Sequence, residues 1–288
     1  MHTETITSAQ NPKIKNLLLL QEKSKARKEQ GLFVVEGRRE LEHCLQAGYT
    51  VKTLFICKDL WPEKLLLPEA SAFFLASGNN SFSGSELPNN PFSAESDVQV
   101  IEIPETLYRK VAYRESTEGI LAEVEYKSLK LEDLRLSENP LVMVLERVEK
   151  PGNLGAVLRS ADAAGVDAVI FCDPLTDLYN PNLIRASIGA IFTVPTVACT
   201  SEEAIAFLKA HDIQILTAQL QDSSLYYDVD MRRGTALVMG TEATGLTDLW
   251  RAAADAHIRI PMLGRLDSLN VSVSAAILLF EAVRQRQG

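Results

Sequence analysis

The chain has 288 residues, 46% of them apolar and 23% charged, with a net charge of −9. Such a length suits one large or two modest domains with a buried core, and the composition is that of an ordinary globular protein rather than a disordered one. No apolar run reaches the ~18 residues of a membrane span, residues 1–6 lack the basic and apolar regions of a signal peptide, and Cys44, Cys57, Cys172 and Cys199 form no Cys-x-x-Cys pair, so a cytoplasmic protein with reduced cysteines and no membrane association is expected.

The acidic balance argues against a nucleic-acid partner, but the charge is uneven. Residues 1–39 hold eight Lys/Arg against four Glu, a local +4 that leaves −13 for the remainder. A basic lobe on an acidic body is compatible with RNA binding. Within the lobe and beyond it, Lys13, Lys15, Arg27, Lys28, Arg38, Arg39 and Arg114 are the candidate RNA contacts; the competing view of the run Lys23 to Lys28 is a solvated helix face.

From the N-terminus, Asn11 before Pro12 predicts a helix cap, and Leu17, Leu18 and Leu20 predict an amphipathic helix to about Ala26. Strands are expected at 32–35, 51–56, 73–76, 98–103 and 120–124, with helices opening at Glu36 and Glu105. Residues 77–97 are rich in Ser, Asn, Gly and Pro and read as a long flexible insert. Residues 1–125 therefore read as a small α/β domain, 126–139 as a charged linker and 140–288 as a second domain. The second domain opens on Leu141 to Leu145, an apolar run of the kind buried in a parallel sheet. Helix 153–161 follows, then strands near 168–171, 193–198, 213–217, 236–239 and 258–260.

Two of those strands end in glycine-bearing loops, Gly240-Thr241-Glu242-Ala243-Thr244-Gly245-Leu246 and Ile260-Pro261-Met262-Leu263-Gly264. The chain then re-forms at Ser268-Leu269-Asn270 and continues as an apolar helix from Val271. Carboxyl-end loops are where open α/β sheets bind ligands. Glycine lets backbone amides approach a ligand closely, and Ile260, Met262 and Leu269 add an apolar slot fit for an adenine-like ring. Cofactor contacts are expected at Ala218, Gly240, Gly245, Ile260, Met262 and Leu269.

These loops, with Asn153-Leu154-Gly155-Ala156-Val157-Leu158-Arg159 upstream, resemble the three motifs of the SpoU/TrmH family of RNA ribose 2′-O-methyltransferases, in the SPOUT class. Residues 11–20 and 31–48 are similar to the N-terminal substrate-binding domain of many members, itself like small ribosomal proteins that bind RNA. The resemblance implies a parallel-sheet methyltransferase domain with a trefoil knot, S-adenosyl-L-methionine as cofactor, rRNA or tRNA as substrate with rRNA favoured, and a homodimer with shared sites. It implies catalytic or positioning roles for Arg159, Asn153, Glu242, Ser268 and Asn270. Arg159 is either the base that activates the hydroxyl or the anchor of a substrate phosphate; a guanidinium is a poor base, and Gly155 is expected to leave room for it above the helix N-terminus. The four histidines show no ligand spacing, so no metal is expected. Two other classes compete: a non-catalytic RNA-binding protein retaining the fold, and a dinucleotide enzyme, for which Gly-x-Gly-x-x-Gly after a first strand is missing.

Overall fold

The computed structural model describes residues 2–60, 97–113, 118–241, 243–265 and 268–287. The strand expected at 73–76, all but the last residue of the insert, Arg114 and Glu242 lie outside the described residues. The chain divides into two compact units, one of residues 1–127 with 179–185, the other of 128–178 with 186–288.

The first unit is built on a mixed sheet in the order β1-β4-β3-β5-β2, with β1 His2–Thr5, β2 Leu32–Glu36, β3 Val51–Ile56, β4 Gln99–Glu102 and β5 Ile120–Glu125. Strand β1 has no apolar alternation to betray it and lies at the sheet edge, parallel to β4. Helix α1 (Pro12–Glu22) buries Ile14, Leu17 and Leu20 beside Leu107, Tyr108 and Val111 of α4 (Glu105–Val111). The helix expected to run on to Ala26 instead breaks at Lys23, whose φ of −109° and ψ of 109° are extended, and α2 (Ser24–Gln30) follows before Gly31 at φ 64°. The break has a cause in Arg27. Its Nη1 donates to the carbonyls of Leu20 at 2.7 Å and Gln21 at 3.1 Å, satisfying the open end of α1. Helix α3 (Arg38–Gln46) completes this part of the unit.

Residues 128–139, between the two domains marked out by sequence, belong to the second unit. Leu131, Leu134 and Leu136 pack on its core, so this stretch is seated rather than a free tether.

The second unit carries a seven-stranded, wholly parallel sheet in the order β10-β12-β9-β11-β6-β7-β8. Its strands are β6 Leu141–Glu146, β7 Ala168–Cys172, β8 Thr196–Cys199, β9 Gln214–Ala218, β10 Ser224–Leu225, β11 Thr235–Met239 and β12 Ala256–Arg259. Strands β6, β7 and β11 are buried along their whole length, as a parallel sheet covered on both faces requires. One layer holds α5 (Pro151–Ala164), against which α10 (Val271–Gln287) lies lengthwise. The other face packs Ala204 and Leu208 of α8 (Ser201–Ala210) and Trp250 of α9 (Asp248–Ala253) over Val142, Val144 and Ile170. The chain steps outward from β6 through β7 to β8, then crosses back to build the other half. The order therefore reverses between β6 and β11, and the crevice beyond the carboxyl ends there is the expected ligand position.

Candidate functional site

The loop after β11 is closed on itself. A side chain at Gly240 would put its Cβ 2.3 Å from the carbonyl carbon and oxygen of Gly245, so only glycine fits. Gly245 has φ +68°, the left-handed region that favours glycine. Thr241 and Gly245 exchange backbone hydrogen bonds of 3.2 and 3.0 Å, and Thr244 N donates to Thr241 Oγ1 at 3.0 Å. The foot of the loop, Thr247, is held by Glu146, whose two carboxylate oxygens accept from Thr247 N at 2.8 Å and from its Oγ1 at 2.6 Å.

On one side of this loop lies a cavity of about 380 Å³, walled by the ends of β9, β11 and β12 and by Met262, Ser268 and Leu269. The size is that of a small-molecule site. Ala218, Gly240, Gly245, Ile260, Met262 and Leu269, the residues singled out for the cofactor, all line it. So does Gln219, a residue the motifs did not mark. Its Oε1 is buried with no hydrogen-bond partner among the described residues, while its Nε2 donates to Gln221 O at 2.9 Å. A buried acceptor left open is costly, and a ligand with amino and hydroxyl donors is what this wall fits. The one available sequence signal was position, directly after a strand end.

On the other side is a second cavity of about 460 Å³, lined by residues 146–150, Asn153, Leu175 and the far face of the same loop. Thr241, Ala243, Thr244, Gly245 and Leu246 line both. Asn153, in the first turn of α5, accepts from Asn270 Nδ2 at 3.1 Å. Asn270 Oδ1 in turn caps α10, accepting from Ser272 N at 2.9 Å and Ser272 Oγ at 2.6 Å. The structure thus brings together Asn153, Asn270 and Ser268 around the loop, each predicted for the site. Arg147, which lines the second cavity, has φ 53°, sparsely populated for a residue with a side chain.

Arg159 stands elsewhere. It lies six residues beyond Asn153, roughly 9 Å along the helix axis, and lines neither cavity. Its side chain is exposed and makes no hydrogen bond or ion pair with a described residue; Asp162, three residues on along the helix, instead accepts from Thr193 Oγ1 at 2.7 Å. The role expected of Gly155 is corrected as well. Gly155 is buried, and a Cβ there would lie 2.5 Å from the Cβ of Ala186 and 2.7 Å from Ser187 N. The glycine lets that backbone pack against α5 and does not make room for the arginine.

The basic residues of the first unit divide by environment. Arg27 is 2% exposed and spent on the carbonyls that end α1, so it is removed from the candidate RNA contacts. Lys13 is paired with Glu4. Arg38 is half-buried; desolvation draws its guanidinium below the usual range despite Glu118 and Glu42 nearby. Lys15, Lys28 and Arg39 are exposed. Among the described residues no group of three or more His, Cys, Asp or Glu is placed to hold a metal, and no helix is long and apolar enough to cross a membrane. The four cysteines are free; burial pushes the thiol of Cys44 far up, and the hydrogen bond with Cys199, followed by burial, does the same to Cys172.

Comparison with known proteins gives this arrangement its context. The SpoU rRNA Methylase family matches residues 140–280, and the MRM3-like substrate binding domain matches residues 11–122. The 23S rRNA (guanosine-2′-O-)-methyltransferase RlmB of Bordetella pertussis is 42% identical over 176 residues, covering 59% of this chain and 72% of that one. The 23S rRNA (guanosine(2553)-2′-O)-methyltransferase RlmP of Bacillus subtilis is 27% identical over 275 residues, 96% and 97% of the two chains. Among solved structures, an AdoMet-bound rRNA methyltransferase from Sinorhizobium meliloti superposes with a TM-score of 0.82 at 28% identity, covering 98% of both chains. With its twin cavities and a substrate-binding domain ahead of them, the chain belongs to the SpoU rRNA methylase family and is an S-adenosyl-L-methionine-dependent RNA 2′-O-ribose methyltransferase.

Proposed function

We propose that the protein methylates a ribose 2′-hydroxyl of 23S rRNA, with the cofactor in the 380 Å³ cavity and the acceptor nucleotide in the 460 Å³ cavity. The observation that carries this reading is the single wall, residues 241 and 243–246, common to both. Reacting atoms in two pockets that share one thin wall are held close and in fixed orientation, which lowers the barrier by restricting motion in advance.

S-adenosyl-L-methionine supplies an electrophilic methyl group when bound. Gly240, Ile260 and Leu269 offer backbone edges to it, Met262 and Ala218 offer apolar contact, Gly245 lets the loop close, and Gln219 Oε1 accepts from a donor. Asn153 and Asn270 orient the acceptor ribose; Ser268 and Glu242 carry the positioning roles that the family resemblance implies for them. Arg159 anchors a substrate phosphate and stabilises the oxygen as it loses its proton. Its guanidinium stays protonated, which favours the anchor over the base.

Arg159 serves the site of a second copy in this reading. Helix α10 exposes Val273 and Phe280, each at 47%, on one helical stripe, and a homodimer through this face would cover them and explain an arginine that lines neither of the two cavities. The trefoil knot and the cytoplasmic location follow the family resemblance. Lys15, Lys28 and Arg39, with Lys13 and Arg38 beside them, guide the RNA.

Purified protein incubated with S-adenosyl-L-methionine and unmodified 23S rRNA should place one 2′-O-methyl group, found by mass spectrometry of nuclease fragments. Methylation of a base, or of no rRNA nucleotide while transfer RNA is modified, would overturn the assignment.

A further inference from the structure

Glu146 ends β6 as a carboxylate with 2% of its surface exposed. Removing a carboxylate from water is expensive unless its oxygens are hydrogen-bonded. Both are, and both to the same residue: the amide and the hydroxyl of Thr247. Thr247 is where the loop bounding both cavities is tied to the sheet. At its head that loop is locked by the contact of Gly240 with Gly245 and by the Thr241–Gly245 hydrogen bonds. At its foot the tie to neighbouring β6 runs through Glu146. The same strand end leads into residues 147–150, the opposite wall of the second cavity.

We infer that Glu146 is a positioning residue for methyl transfer. By gripping Thr247 with two acceptors, it fixes the spacing between the loop that separates the cavities and the wall on the acceptor side. The inference rests on the two-cavity reading above. A glutamine at this position can keep Oε1 on the Thr247 amide and turn its NH₂ to the Thr247 hydroxyl, which then accepts, so both ties become neutral hydrogen bonds of roughly half the strength of those to a carboxylate. No contact of Glu146 with substrate is needed; its effect passes through Thr247.

The test uses the full chain with Glu146→Gln, Thr247→Val, Thr247→Ser and the Glu146→Gln/Thr247→Val pair. Methylation kinetics, thermal melting and hydrogen–deuterium exchange of peptides covering 240–247 are measured on each. Hydrogen bonds to a buried charge predict a fall in kcat of about tenfold or more for Glu146→Gln and for Thr247→Val. KM for S-adenosyl-L-methionine should move less than kcat, and the loop amides should exchange faster. The paired variant should be little worse than either single one, because both break the same connection. Thr247→Ser, which keeps amide and hydroxyl, should retain activity.

Unchanged kcat in the folded single variants, unaltered exchange, or losses that simply multiply in the paired variant would overturn the inference. Should Glu146→Gln fail to fold, Thr247→Val against Thr247→Ser carries the comparison. If the unsubstituted protein methylates no RNA, the functional reading has failed, and the exchange data still decide whether the connection orders the loop.

Discussion

Loop 240–247 and the helix pair 12–30 set two kinds of functional surface side by side. The loop does its work with backbone. Its shape is fixed by one glycine without room for a Cβ, one glycine at positive φ and a buried carboxylate at its foot. The helix pair works with side-chain charge, and neighbours in sequence have unrelated tasks: Lys28 is exposed, while Arg27 beside it is buried on the carbonyls of α1. A backbone-built site depends on order and spacing. A charge-built surface depends on where each side chain happens to point.

That contrast breaks most sharply at Arg159, the cation proposed to anchor the substrate phosphate. Arg159→Ala should lower kcat by about 10²–10³, the scale of removing a donor aimed at developing charge, while calorimetry finds S-adenosyl-L-methionine binding unchanged. Weakened cofactor binding in this variant would move the arginine from the phosphate to the cofactor. Co-expression of Arg159→Ala with Gly240→Ala chains should restore activity that neither has alone, if one copy's arginine completes the other's loop.

Next in size is Gly240→Ala, which drives a Cβ into Gly245. Cofactor affinity should fall about 100-fold or more, equivalent to about 3 kcal/mol, with the melting temperature of the first unit unaffected. In the charge-built region, Arg27→Ala leaves the Leu20 and Gln21 carbonyls open and should cost about 1–3 kcal/mol in urea unfolding. Lys15→Ala, Lys28→Ala and Arg39→Ala should each stay within about 0.5 kcal/mol in stability, yet weaken RNA binding and reduce its salt dependence.

The smallest effect concerns Glu123 in β5, 7% exposed and in contact with Asn16 Nδ2 at 3.4 Å. Burial raises its carboxyl above the ordinary 4.5, against the pull of Thr53, Asn16 and Lys13. With the folded value above the unfolded one, the folded state holds the extra proton. The stability of this unit therefore falls as pH rises from about 4.5 through the raised value. Glu123→Gln should flatten that slope in unfolding followed from pH 4 to pH 7; an unchanged slope would assign it to another group.

The same division governs what could be read from the residues alone. Motif spacing marked residues that wall the first cavity, and marked Asn153 and Asn270 without the hydrogen bond that joins them, because glycine and asparagine at strand and helix ends answer to backbone geometry that sequence encodes directly. Gln219 carries no motif and shows its open acceptor only once β9 and β12 are paired. Glu146 looks like the polar end of a strand until Thr247, 101 residues later, arrives beside it. Gly155 was misread because a glycine within a helix announces close approach without naming what approaches. The seating of 128–139 has no sequence signal, since charged residues there flank leucines spaced too irregularly to mark a core.

A crystal structure of the protein with S-adenosyl-L-methionine tests the central claim most directly. Adenine should lie among the backbone of residues 240, 260 and 269, with a ligand donor within hydrogen-bond distance of Gln219 Oε1 and the methyl group directed toward the Asn153 side of the loop. Ligand bound anywhere else, or a methyl group directed away from the second cavity, would contradict it.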